Sequence, residues 1–197
     1  SKTSKKIRTA HRYLGLFLGI QFLFWTISGL YFSWTDLDEI HGDHFRKSYI
    51  KKEYENLLSP SKINFSNGIK SLELREIADT PYYWINENKL INAYDGFVKD
   101  SITKEEAIII SNNNILDEYK ILDVKIINEV GNHHEYRGKP LPAYVISYEG
   151  SDKLKSYISI KDGQFQTVRH RSWRWFDFLW MTHTMDYETR DDFNLSL

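Results

Sequence analysis

Seven histidines and no cysteine set the chemistry open to this chain. Without cysteine there is no disulfide, no thiolate nucleophile and no Cys-ligated metal or iron–sulfur cluster. His11 stands four residues before Gly15 and eight before Gly19, so on a helix the three share one face. A neutral imidazole beside a glycine-lined face suits a flat cofactor. Haem iron is held in this way, with a second histidine from another helix completing the axial pair. Against this, Arg8 and Arg12 flank His11, as they would flank an interfacial histidine touching lipid head groups. His183 is the second candidate. It shares a helical face with Leu179 and Trp180 inside the aromatic segment 173–187. It reads either as an axial ligand near the outer leaflet or as part of an amphipathic helix lying on the membrane. In the second case it would bond Asp186 or a lipid phosphate. His11, Gly15, Gly19 and His183 are the candidate cofactor-binding residues, with haem b as the cofactor; with the N-terminus inside, His11 and His183 fall on opposite sides of the bilayer and would serve two haems, one per leaflet, rather than one iron.

Asp38, His41 and His44 recur at three-residue spacing among Asp36, Glu39 and Asp43. Carboxylate plus imidazole at that spacing can ligate iron or zinc. Gly42 weakens the helix that would align them, and a solvated charge run is the competing reading. His133 and His134 lie between Gly131 and Gly138 with Glu135 and Arg137, a pattern of a solvated loop or of a partner-binding one. The run 186–192 contains Arg190 and reads as an interfacial ion-pair cluster. No Ser-His-Asp order, phosphate loop or dinucleotide fingerprint is present. A net charge of −1 leaves no basic footprint for nucleic acid.

These residues need elements to position them. From Tyr13 to Trp34 the chain carries no charge, and as a helix these residues rise roughly 33 Å, about the hydrocarbon thickness. Tyr13 at one end, and Tyr31 and Trp34 at the other, suit the two membrane interfaces. Lys2, Lys5, Lys6, Arg8 and Arg12 precede the run; Asp36, Asp38 and Glu39 follow it. The positive-inside rule then places the N-terminus in the cytoplasm and the main domain outside. A cleaved signal peptide fits less well, since the run is long and no small-x-small site follows. Gln21, Thr26 and Ser28 are polar at membrane depth. They predict that the helix has neighbours other than lipid.

Beyond the anchor, residues 35–65 read as a charged juxtamembrane linker, helical in part and broken at Ser59-Pro60-Ser61. Two similar units follow. In the first, Pro81–Asn86 and Lys89–Tyr94 read as a hairpin turning at Glu87-Asn88. Thr103 with Glu106 three residues on has the form of a capping box, so a helix starts there. In the second unit, Tyr119–Glu129, Leu141–Tyr148 and Lys155–Ile160 read as strands, and Asp162-Gly163 closes it. The fold class is α+β: antiparallel hairpins with a helix or two on one face.

The order Arg8-x-x-His11-Arg12-x-x-Gly15, then the strand 141–148, the strand 157–160 and the segment 175–187, resembles a PepSY domain of the PepSY-associated transmembrane family of bacteria. The resemblance covers nearly the whole chain. It implies a protein of the bacterial cytoplasmic (inner) membrane with a periplasmic PepSY-like domain over 66–170. It also implies an interfacial segment, 171–197, leading toward a second membrane helix that is expected after it. Some relatives carry haem, and some reduce iron in siderophores. The implied function is a subunit or accessory of a membrane redox or iron-acquisition system, non-catalytic on its own or a haem-dependent ferric reductase component. The alternative is a periplasmic binding module or structural subunit with no chemistry. Expected partners are the lipid bilayer and other transmembrane helices of a membrane complex.

Overall fold

The computed structural model describes residues 2–48, 52–63 and 68–187. The chain forms two units: residues 1–41 with 172–197, and residues 42–171.

The first unit is built on α1 (Lys2–Trp34), with the short α2 (Leu37–His41) after it and α4 (Arg171–Thr184) packed against it. The helix expected from Tyr13 already begins at Lys2. The basic stretch before Tyr13 holds no proline or glycine, so nothing stops the helix there. Its 33 residues extend about 50 Å, well beyond the apolar stretch. By length and composition α1 is able to cross a membrane.

Helix α4 runs antiparallel to α1 along the apolar stretch. Phe176 meets Tyr31 and Phe32, Trp180 meets Phe32, and His183 meets Trp25. Buried Ile40, Trp173 and Phe176 form the local core with Tyr31, Phe32 and Trp180. Trp175 and Phe178, on the opposite side of α4, stay exposed, as does most of α1. With its exposed apolar side chains, α1 is suited to lipid or to further helices.

The second unit holds two four-stranded antiparallel sheets, each in simple sequence order. The first comprises β1 (Leu72–Ile77), β2 (Thr80–Ile85), β3 (Lys89–Asn92) and β4 (Val98–Lys99). The second comprises β5 (Ile121–Ile127), β6 (Ala143–Tyr148), β7 (Lys155–Ser159) and β8 (Phe165–Arg169). Between them lies α3 (Lys104–Asn114), started by the expected capping box: Thr103 Oγ1 accepts from Glu106 N, and Glu106 Oε2 from Thr103 N. The paired-unit reading and the hairpins agree with the sequence. Strands β1, β4 and β8 are additions to it.

Strand alternation divides the residues between two faces. Tyr82, Trp84 and Leu90 of the first sheet share a core with Tyr144, Ile146, Tyr148 and Ile158 of the second and with Ala107 and Ile110 of α3. On its other face the first sheet presents Tyr83, Ile85 and Ile91, covered by Leu57 and Ile63. The stretch read as a linker thus belongs largely to this unit. Phe45 is in the core, and Arg46 bridges to Ile115. Regular helix in that stretch is confined, among the described residues, to α2 and single 3-10 turns at Asp43–Phe45 and Pro60–Lys62.

Candidate cofactor site on the helix pair

Gln21, Trp25, Ser28 and Phe32 recur every three to four residues, which puts them on one stripe of α1. That stripe faces α4. Ser28 is fully buried, and its Oγ lies 2.8 Å from His183 Nδ1. The Trp25 ring stacks on the imidazole at 5.3 Å, and Phe32 meets it edge-on at 5.4 Å. Gly29 lies beside the ring edge; a Cβ there would stand 3.6 Å from His183 Cε1, an ordinary contact. The imidazole is thus held in position and half-buried, about 9 Å along the helix axis from Trp34.

Gln21 secures the far end of α4. Its Nε2 donates to Thr182 O at 2.9 Å, and its Oε1 accepts from Tyr187 OH at 3.0 Å. The last four carbonyls of a helix have no partner within it. Gln21 supplies one to Thr182. The chain leaves α4 through Met185, whose φ of 58° ends the helix in the left-handed region without glycine. Of the three polar residues noted at this depth, Gln21 and Ser28 have partners on α4. Thr26 donates to Phe22 O of its own helix.

His11 is not part of this arrangement. It is exposed, seventeen residues from Ser28, and so about 25 Å away along α1. Gly15 and Gly19 are exposed too, and a Cβ at either would meet nothing within 4 Å. The structure therefore separates His11, Gly15 and Gly19 from His183. Asp38 and His41 lie on α2; His44 lies in the second unit, its ring against Phe45 and His170. Among the described residues, no group of three or more His, Cys, Asp or Glu is disposed to hold a metal ion. The 188–192 part of the expected ion-pair cluster, with Arg190, lies outside the described residues.

The His133-His134 loop is exposed at Gly131, His133 and Gly138 but pinned from His134 onward. His134 Nδ1 accepts from Tyr136 N, Glu135 Oε1 accepts from Lys155 Nζ and Tyr157 OH, and Tyr136 stacks on Tyr157. Burial holds His134 below the usual imidazole range. The second unit also has a cleft of about 290 Å³ lined by Leu74, Ile110, Asn113 and Phe165. Arg75 and Asp162, also in its lining, are ion-paired at 2.6 Å. Nothing in the sequence pointed to this cleft, because its walls come from three separate segments.

The stripe 21, 25, 28, 32 was the missed signal: two polar and two aromatic residues at helical spacing mark a packed face. No family model, curated protein or solved structure matches the chain.

Proposed function

We propose that this is a membrane-anchored protein whose α1–α4 pair sits in the bilayer and whose His183 would hold haem, within a membrane redox or iron-acquisition complex. The observation that carries this reading is His183 itself. It is an imidazole clamped between two helices, alongside a stretch that holds no charged residue. Ionisable groups at such depth are costly and are usually kept for function. The residues fit the cofactor at one end: His183 would ligate the iron, and Trp25 and Phe32 would orient the ring. Haem, when bound, supplies one-electron transfer. His11 is too far along α1 to share a site with His183, so any further ligand would come from another helix or subunit. The open Gly15/Gly19 face suits such a helix. The basic N-terminal turns would lie in the cytoplasm and the double-sheet unit, on the PepSY reading, in the periplasm of a bacterium.

Purified full-length protein, made with ample haem, is expected to show a Soret band that His183→Ala removes. No Soret band in the wild type would overturn this reading.

The cleft in the second unit favours a second reading, a tethered binding module without chemistry of its own. If His183→Ala left function intact while Arg75→Ala or Phe165→Ala abolished partner capture from solubilised membranes, that reading would replace the first.

A further inference from the structure

A serine inside a helix commonly returns its proton to a carbonyl one turn back. Ser28 Oγ lies 2.7 Å from Phe24 O and 3.0 Å from Trp25 O, with His183 Nδ1 as its third neighbour at 2.8 Å. A hydroxyl has one proton and two lone pairs, and a carbonyl can only accept. If the Ser28 proton turned toward His183, Oγ would face two carbonyl oxygens with nothing between them. The arrangement that suits every atom sends the Ser28 proton to the helix carbonyls. His183 Nδ1–H then donates to Oγ. A neutral imidazole protonated at Nδ1 carries its lone pair on Nε2.

We propose that Ser28 is a positioning residue that fixes His183 as the Nδ1–H tautomer and thereby reserves Nε2 for a metal centre. For the identity of that centre, haem iron, the inference rests on the function proposed above. The assignment of Ser28 itself rests only on the hydrogen bonds. Metal-ligating histidines characteristically donate their other ring N–H to a neighbouring acceptor, which sets the tautomer and raises the basicity of the ligating nitrogen. Rotation of the ring away from this arrangement is opposed by Trp25 on its face and Phe32 at its edge.

His134 makes the contrast within the same chain. Its Nδ1 accepts the Tyr136 backbone N–H at 3.1 Å, so when neutral it carries its proton on Nε2. The chain thus holds one histidine with Nε2 as a donor and one with Nε2 as an acceptor. The acceptor is the one on the helix pair.

The test uses the full chain in nanodiscs, without haem, labelled with ¹⁵N-histidine, at a pH of about 8, where an ordinary imidazole is neutral. His183 is expected to show a protonated-type Nδ1 and an unprotonated-type Nε2. Ser28→Ala is expected to release the ring to a tautomer mixture, and Ser28→Thr to restore the wild-type pattern. An Nε2–H tautomer in the wild type, or an unchanged tautomer in Ser28→Ala, would overturn the assignment. Titration with haemin gives a second readout. Ser28→Ala is expected to bind about 10–100-fold more weakly, with Ser28→Thr close to wild type. Equal affinity of wild type and Ser28→Ala would count against the positioning role. If the wild type bound no haemin, the haem reading would fall, and the tautomer result would decide on Ser28 by itself.

Discussion

Ser28 of α1 and Ser111 of α3 are both fully buried serines on helices, yet their hydroxyls lead to different ends. Ser111 closes a triangle with Tyr148 OH and Ser156 Oγ, at 3.0 Å from the latter. Each of the three groups finds its partners inside the triangle, deep in the core between the sheets. Burial drives the Tyr148 hydroxyl pKa upward, while its serine partners oppose the rise. Such a closed network locks one packing and offers nothing to a ligand. The chain through Ser28 stays open: it runs from helix carbonyls through the hydroxyl to an imidazole that is only half-buried and has a second nitrogen to spend. A polar network that ends on itself belongs to the fold. One that ends on a titratable ring at the edge of a helix seam is the better place to look for function.

The same contrast separates the two units in what stabilises them, and substitutions can break it. The second unit depends on burial. Leu90→Ala, at a fully buried core position, is expected to cost about 2–5 kcal/mol, read as a lowered denaturation midpoint of that unit. A loss below about 1 kcal/mol would mean that the core relaxes around the cavity and the contrast is overstated.

The helix pair is expected to depend on a few hydrogen bonds at apolar depth. Gln21→Leu keeps the size and removes both hydrogen bonds, leaving Thr182 O and Tyr187 OH without them, so it should cost about 1–2 kcal/mol. Faster amide exchange over the last turn of α4, with the sheets unaffected, is the measurement. Exchange that rises equally in both units would contradict the division.

The α3 cap carries a smaller effect. Thr103→Ala should cost about 1 kcal/mol by freeing the Glu106 N–H, and Thr103→Ser should recover most of it. Thermal melts of the two variants decide this.

The smallest effect concerns a surface pair. The hydrogen bond from Lys52 holds the Asp79 carboxyl below its usual range. A lowered pKa contributes stability above the unfolded aspartate value, about 3.9, and that contribution is lost as pH falls further. Both side chains are about half exposed, so the amount is at most about 1 kcal/mol. Asp79→Asn should flatten this part of the acid limb, and an unchanged acid limb would remove the pair from the list of contributors.

Much of the fold was legible because its signals are local. The uncharged stretch 13–34, the Thr103–Glu106 box and the turns at Glu87-Asn88 and Asp162-Gly163 each declare an element by themselves. Strand β1 was hidden because Glu73 and Arg75 interrupt its apolar pattern. Arg75 nonetheless covers the Trp84 ring at 5.0 Å and pairs with Glu73 and Asp162. Strand β8 was hidden by its polar Gln166 and Thr167. At the site, histidine spacing drew attention to His11, but spacing along one helix says nothing of what comes to meet it. His183 was visible as a residue type, whereas its partner Ser28 is 155 positions away, and only tertiary packing pairs them.

In the proposed function, α1 and α4 lie in the membrane with His183 at hydrocarbon depth. Since the chain has no cysteine, single variants Lys5→Cys, Asp95→Cys and His183→Cys are clean probes in intact spheroplasts. With a membrane-impermeant maleimide, Asp95→Cys is expected to label at once, Lys5→Cys only after the membrane is opened, and His183→Cys only in detergent. Immediate labelling of His183→Cys, or equal labelling of Lys5→Cys and Asp95→Cys from outside, would contradict it.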